Sequence, residues 1–135
     1  MDSDLSIESK LNKDSILLSN VFGTSMFPFL FNNSKVTISK PSIINLYDVV
    51  LYKVKDKYIL HRVIAINDNT YSTLGDNSLD VYTIDKNSIL GVLSGYYRFN
   101  KYIKIKPSIN KRYYHLSLIL KPFLRIKFFI RDIIK

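Results

Sequence analysis

The run Asp48-Val49-Val50-Leu51-Tyr52-Lys53-Val54-Lys55, followed across Asp56-Lys57 by Tyr58-Ile59-Leu60-His61-Arg62-Val63-Ile64-Ala65-Ile66, decides the class of fold. Branched and aromatic residues dominate both halves, and such side chains pack well on a pleated surface. A two-residue connection is too short for a crossover, so the pair reads as an antiparallel hairpin. Upstream, Lys35-Val36-Thr37-Ile38-Ser39 alternates with period two and is closed by Pro41. Downstream, Thr70–Leu74 follows the turn-forming Asn67-Asp68-Asn69 and continues the meander to Gly75-Asp76-Asn77. In Ser88–Phe99, Gly91 and Gly95 suggest a bulge or a close backbone approach. After Asn100-Lys101, Tyr102–Lys106 alternates until Pro107 stops it. About six strands joined by short turns predict a mainly β, antiparallel domain.

Two flanks differ from this pattern. Residues 6–19 place Ile7, Leu11 and Leu18, with Ile16 and Leu17 less regularly, near one side of a short N-terminal helix, or else form a solvated lead-in. At the other end, a helical period groups Phe123, Ile126, Phe129, Ile130 and Ile133 on one side, with Lys121, Arg125, Arg131, Asp132 and Lys135 opposite. Leu124 and Phe128 intrude on the charged side, and Pro122 fits best near a helix start. The expected organisation is a lead-in over 1–20, a β domain over 21–107 and a basic amphipathic helix over 108–135. That helix either packs on the domain with a solvated basic face or lies in the interface of an anionic membrane.

With 135 residues the chain has the length of one domain, and 47% apolar residues with four glycines and four prolines mark it as a folding sequence. Cysteine is absent, which excludes disulfides and thiolate chemistry. The two histidines, His61 and His115, have no partner at metal-ligand spacing, so neither a metal nor any other cofactor is expected. The net charge of +9 is concentrated in residues 101–135, where Asp132 is the single acid. That bias draws the tail to anionic surfaces; no recognition motif accompanies it, so nucleic acid is not the expected partner. No run is long and apolar enough to span a bilayer, and the acidic, polar N-terminus lacks the features of a secretory signal.

The chemistry centres on Gly23-Thr24-Ser25-Met26-Phe27-Pro28-Phe29-Leu30. A glycine two residues before Ser25 and a proline three after it hold a hydroxyl at a defined bend. A serine hydroxyl needs a base to become a nucleophile, and His61 is the candidate. A carboxylate from Asp76 or Asp80 would fix the imidazole tautomer. Individually, each of these residues also has an ordinary role in a turn, a strand or a loop.

In order, Gly23-Thr24-Ser25-Met26-Phe27-Pro28, the Asp48-Val49-Val50-Leu51-Tyr52 and Tyr58–Ile64 strands, and Gly75-Asp76-Asn77 resemble the successive boxes of the signal peptidase I superfamily, whose β fold is shared with LexA-type repressors. The resemblance covers roughly residues 21–95. It implies a membrane serine peptidase with Ser25 as nucleophile and His61 as general base, since His61 stands where most bacterial members carry lysine. That points to the Ser/His branch typical of endoplasmic-reticulum and archaeal enzymes and of some Gram-positive ones. Asp76 and Asp80 match the acidic residues of the third box, Asp80 less closely.

The Ser25 N–H would join the oxyanion hole, while Gly23 stands where many members place a donating serine. Tyr47-Asp48 stands where a Gly-Asp turn is usual. The usual N-terminal transmembrane helix and large second β domain have no counterpart, as in compact members of the superfamily. The resemblance further implies a signal or leader peptide precursor as substrate, bound as an extended strand beside Met26–Leu30, with Met26 and Pro28 in contact and small residues before the scissile bond. A membrane-associated location follows, with a cytoplasmic one as the alternative. The competing function is a catalytically inactive, membrane-docked β module that binds peptides. A LexA-type regulator is disfavoured, because there is no separate helical DNA-binding segment and no lysine at the base position.

Overall fold

In a computed structural model the backbone is described over residues 16–134 and the side chains through residue 124. Among the described residues eight strands precede a long α-helix: β1 (Ile16–Asn20), β2 (Lys35–Ser39), β3 (Val49–Val54), β4 (Lys57–Ile66), β5 (Thr70–Leu74), β6 (Val81–Asp85), β7 (Gly91–Arg98), β8 (Lys101–Lys104) and α1 (Pro107–Ile134). All strand pairs are antiparallel, in the order β1-β2-β7-β3-β4-β5-β6. On one edge β7 meets β2; on the other it meets β3 at Gly91 and Val92 and then β8 from Gly95 to Arg98. The mainly antiparallel β architecture with a C-terminal helix therefore matches the expectation.

Local chemistry sets the turns. Lys55 and Asp56 adopt φ of 47° and 67°, the left-handed pair that matches the twist of a two-residue hairpin. The β3–β4 turn is thus Lys55-Asp56, one residue before the expected Asp56-Lys57. Phe99-Asn100, with φ of 54° and 62°, closes β7–β8 in the same way. Gly95 is required by close approach, since a Cβ there would overlap the Tyr102 hydroxyl. The β2–β7 register shifts between Thr37 and Ile38, opposite Ser94, whose hydroxyl bonds the Thr37 hydroxyl at 3.0 Å.

At residues 16–19 the expected N-terminal helix requires a correction. Residues 6–15 lie outside the described residues, but Ile16–Ser19 are strand, paired with β2 from Ile16↔Ser39 to Asn20↔Lys35. The ladder gives these residues cross-strand backbone partners that a helix turn would have supplied locally. The sheet domain therefore begins before residue 21. Strand β6 was not anticipated; it lies along β5 from Leu74↔Val81 to Thr70↔Asp85 and is largely exposed, which left its pattern weak.

Strand β3 is buried on both faces. Val49 and Leu51 join a cluster containing Met26, Phe29, Leu30, Val36 and Ile38, while Val50 and Tyr52 join Val63, Tyr71 and Ile89 on the other side. Helix α1 packs on the first cluster through Ile109 and Tyr113, with the Tyr113 and Phe29 rings 4.5 Å apart. Among its described side chains Asn110, Ser117 and Leu124 are buried. Its opposite side exposes Leu116, Ile119 and Phe123. Pro122 lies inside the helix, not near its start, which is at Pro107. Of the expected apolar face only Phe123 has a described side chain, and it is exposed. No described helix is long and apolar enough to cross a membrane.

Candidate active site

Ser25 sits in the loop between β1 and β2. The loop is closed on itself by Val21 N–H to Ser34 O at 2.9 Å and Asn33 N–H to Val21 O at 2.7 Å. Gly23, at φ 91°, donates its N–H to Asn32 Oδ1 at 2.9 Å. The following turn is held by Phe27 N–H to Thr24 O and Leu30 N–H to Met26 O, with a cis Phe27–Pro28 peptide. Met26, Phe29 and Leu30 are buried and anchor the loop, so the intervening chain carries Ser25 to the surface.

The third segment clamps this turn. Asn77 donates its N–H to Ser25 O at 2.8 Å and its side-chain amide to Thr24 O at 3.1 Å, and the Asp76 N–H faces Met26 Sδ at 3.5 Å. A Cβ on Gly75 would lie 2.7 Å from Ser25 O and 3.0 Å from His61 Nε2. Glycine is thus what allows the serine loop and the imidazole to approach from two sides.

His61 is 6% exposed on β4, with Nδ1 3.5 Å from the Tyr52 hydroxyl. That hydroxyl is 2.7 Å from Thr73 Oγ1, which in turn donates to Tyr82 O at 3.4 Å. With Thr73 donating to Tyr82 O, these contacts accommodate one order of protons. Thr73 gives its proton to a carbonyl, so it accepts from Tyr52; Tyr52 Oη then accepts from His61 Nδ1–H; Nε2 is left with its lone pair, next to Gly75. Burial lowers the His61 pKa to about 4 and raises that of Tyr52 to about 12, so at neutral pH the imidazole is an uncharged acceptor and the phenol keeps its proton.

The structure does not bring the carboxylates to His61. Both oxygens of Asp76 accept from Arg62, Nε to Oδ1 and the second terminal nitrogen to Oδ2, each at 2.8 Å. His61 and Arg62 are consecutive in a strand and therefore project to opposite faces. Burial pushes the Asp76 carboxyl above its ordinary range while Arg62 pulls it back. Asp80 is exposed, its N–H donating to Ser78 Oγ at 3.2 Å, and it forms no ion pair with His61. Arg62, wholly buried, also donates to Tyr47 O, Asn110 O and Asn110 Oδ1 at 2.9–3.2 Å. From the helix, Lys121 Nζ reaches Asp76 O at 3.2 Å and Gly75 O at 3.5 Å, and burial lowers its pKa.

Ser25, Met26 and His61 line one cleft of about 420 Å³, together with Ser78 and Tyr82. Pro28, Asp76 and Asp80 are not among its lining residues. Among the described residues the Ser25 hydroxyl makes no hydrogen bond, to His61 or to any other group. Among the described residues β4 pairs with β5 only from Arg62 onward, and β1 pairs only with β2. Tyr52, Thr73 and Arg62 escaped the sequence reading of the site, and Gly75 entered it only as part of its third segment. Strand alternation separates the roles of His61 and Arg62, but nothing local marks Tyr52 as the partner of the imidazole. No protein-family model matches the chain, and no curated protein matches its sequence.

Proposed function

We propose that this chain is a serine endopeptidase of signal-peptidase type, with a LexA-like β fold, that cleaves a signal or leader peptide. Ser25 Oγ attacks the scissile carbonyl as its proton passes to His61 Nε2. The imidazolium then returns that proton to the leaving amine, and water, deprotonated by the same nitrogen, releases the acyl group. The observation that carries this reading is the placement of Ser25 and an uncharged, Nε2-basic His61 on either side of Gly75 in one cleft. The Ser25 N–H, without a partner among the described residues, supplies an oxyanion donor. In place of a carboxylate, Tyr52 orients the imidazole; Asp76 acts through Arg62 and holds the segment that clamps the serine. The substrate lies extended in the cleft along β1, not beside Met26–Leu30, which is a turn.

The exposed stripe Leu116, Ile119 and Phe123, beside the exposed Lys111 and Arg112, supports docking of α1 on an anionic membrane while its other side packs on the domain. The packed side of α1 fits the first expectation for the tail, and the docking proposed here concerns its opposite side. The test is cleavage of leader peptides followed by mass spectrometry: the wild-type chain cuts, and Ser25→Ala does not while keeping its melting temperature. An unimpaired Ser25→Ala refutes the proposal. The unbonded Ser25 hydroxyl favours the second reading, a non-catalytic peptide-binding module, which requires that both proteins bind peptide and neither cuts it.

A further inference from the structure

We infer that Lys121 of helix α1 is a positioning residue for the cleft: it fixes the Gly75-Asp76 backbone and, through Asn77, the turn that presents Ser25. The catalytic consequence rests on the peptidase reading of the cleft; the hold on the turn does not. Lys121 Nζ donates to Asp76 O at 3.2 Å and reaches Gly75 O at 3.5 Å. The ammonium thus lies against two consecutive carbonyls, and hydrogen bonds from a charged donor are stronger than those from a neutral one. Ser78 donates its N–H to Gly75 O at 3.0 Å, which keeps the shape of the segment itself. Loss of the ammonium therefore lets residues 75–78 shift as a unit without unravelling them.

Helix α1 grips this segment at two levels. Asn110 lies about three helical turns before Lys121, on the same side of the helix. It accepts from Arg62 through its carbonyl at 3.2 Å and its side chain at 3.1 Å, and Arg62 holds both carboxylate oxygens of Asp76. The Asp76 side chain is thus fixed through Arg62 and its carbonyl through Lys121. Beyond it, Asn77 donates to Ser25 O at 2.8 Å and to Thr24 O at 3.1 Å. Gly75 packs between Ser25 O and His61 Nε2 so closely that a Cβ would overlap the carbonyl, so a shift of the segment changes how the serine turn meets the imidazole. Helical periodicity groups Lys121 with the charged side of the tail, whereas in the fold it is half-buried against the site.

The experiment compares the full-length wild type with Lys121→Met, which keeps the stem and loses the donors, and with Lys121→Arg, which restores charged donors. Lys121→Gln, too short to reach both carbonyls, replaces the methionine variant if that one does not fold. Amide hydrogen exchange needs no substrate: in Lys121→Met the Asn77 amide is expected to exchange at least about tenfold faster than in wild type, with the β3–β4 amides unchanged and Lys121→Arg close to wild type. In leader-peptide cleavage kcat should fall at least about tenfold with KM within about twofold of wild type, and Lys121→Arg should recover most of the loss. Unchanged Asn77 exchange, an equal acceleration of the β3–β4 amides, failure of Lys121→Arg to restore protection, or an unchanged kcat in a chain that cuts overturns the inference. If the wild type cuts no leader peptide, the peptidase reading falls, and exchange alone decides whether Lys121 holds the Ser25 turn.

Discussion

Asp76 and Arg62 meet through two hydrogen bonds of 2.8 Å, with the guanidinium wholly removed from solvent. The pair joins the segment that clamps Ser25 to the strand that carries His61. Removing one partner of a buried pair leaves the other charge uncompensated, so Arg62→Met should cost about 3–5 kcal/mol in urea unfolding. Arg62→Lys should recover little, because an ammonium cannot reproduce the fork or reach Tyr47 O and Asn110 together. The double variant Arg62→Met/Asp76→Leu should be more stable than Arg62→Met alone.

The buried imidazole makes a pH prediction with a definite sign. Folding holds the His61 pKa at about 4 against an ordinary 6.5, so the unfolded chain binds the proton more readily. The stabilisation is present in full above pH 6.5, falls as pH drops toward 4, and amounts to about 3 kcal/mol. Urea titrations at pH 7.5, 5.5 and 4 should show this loss, and His61→Gln should remove most of it. The proposed peptidase activity should keep its acid limb near pH 4 instead of 6.5, since only the neutral ring accepts the serine proton.

Gly75→Ala would put a methyl group 2.7 Å from Ser25 O and 3.0 Å from His61 Nε2. The carbonyl belongs to a backbone that Asn77 holds in place, so the loop and the ring must separate. A misplacement on this scale should lower kcat by about 10²-fold, while overpacking costs about 1–3 kcal/mol of stability. Steady-state kinetics beside a melting curve distinguish the two effects.

Tyr52→Phe removes the acceptor for His61 Nδ1–H and the donor to Thr73. We expect kcat to fall about tenfold or more with KM little changed, because the tautomer and orientation of the base are loosened. The loss in stability should be about 1–2 kcal/mol.

On the helix, Ile119 and Phe123 are 67% and 66% exposed, so Ile119→Ser/Phe123→Ser should leave the fold intact. Co-sedimentation with vesicles containing phosphatidylserine should weaken at least about tenfold, and higher salt should weaken it further for both proteins.

The strands were legible where composition and alternation agreed, as in Lys35–Ser39 and Tyr58–Ile66. They were illegible where burial was slight, as in Val81–Asp85, or where an apolar run also suited a helix, as in Ile16–Ser19. Within the site, Ser25, His61 and Gly75-Asp76-Asn77 were visible as punctuation, because glycine, proline and isolated polar residues break an apolar pattern. The partnerships were not. Asp76 is equally plausible beside either of two neighbouring residues until the sheet assigns them to opposite faces. Tyr52 reads as one more strand aromatic, and its hydroxyl acquires meaning only when the β3–β4 register sets Tyr52 opposite Ile59, two residues from His61.

Lys121 holds the carbonyls of Gly75 and Asp76, and Asn110 accepts from Arg62, so the helix cannot lift away on its own. Its departure would strand two loop carbonyls and part of a guanidinium in the interior. The first turns of α1 and the loop beneath Ser25 therefore belong to one cooperative unit of local opening. Their amides, including the Asn77 N–H bound to Ser25 O, should exchange with solvent deuterium at a common free energy.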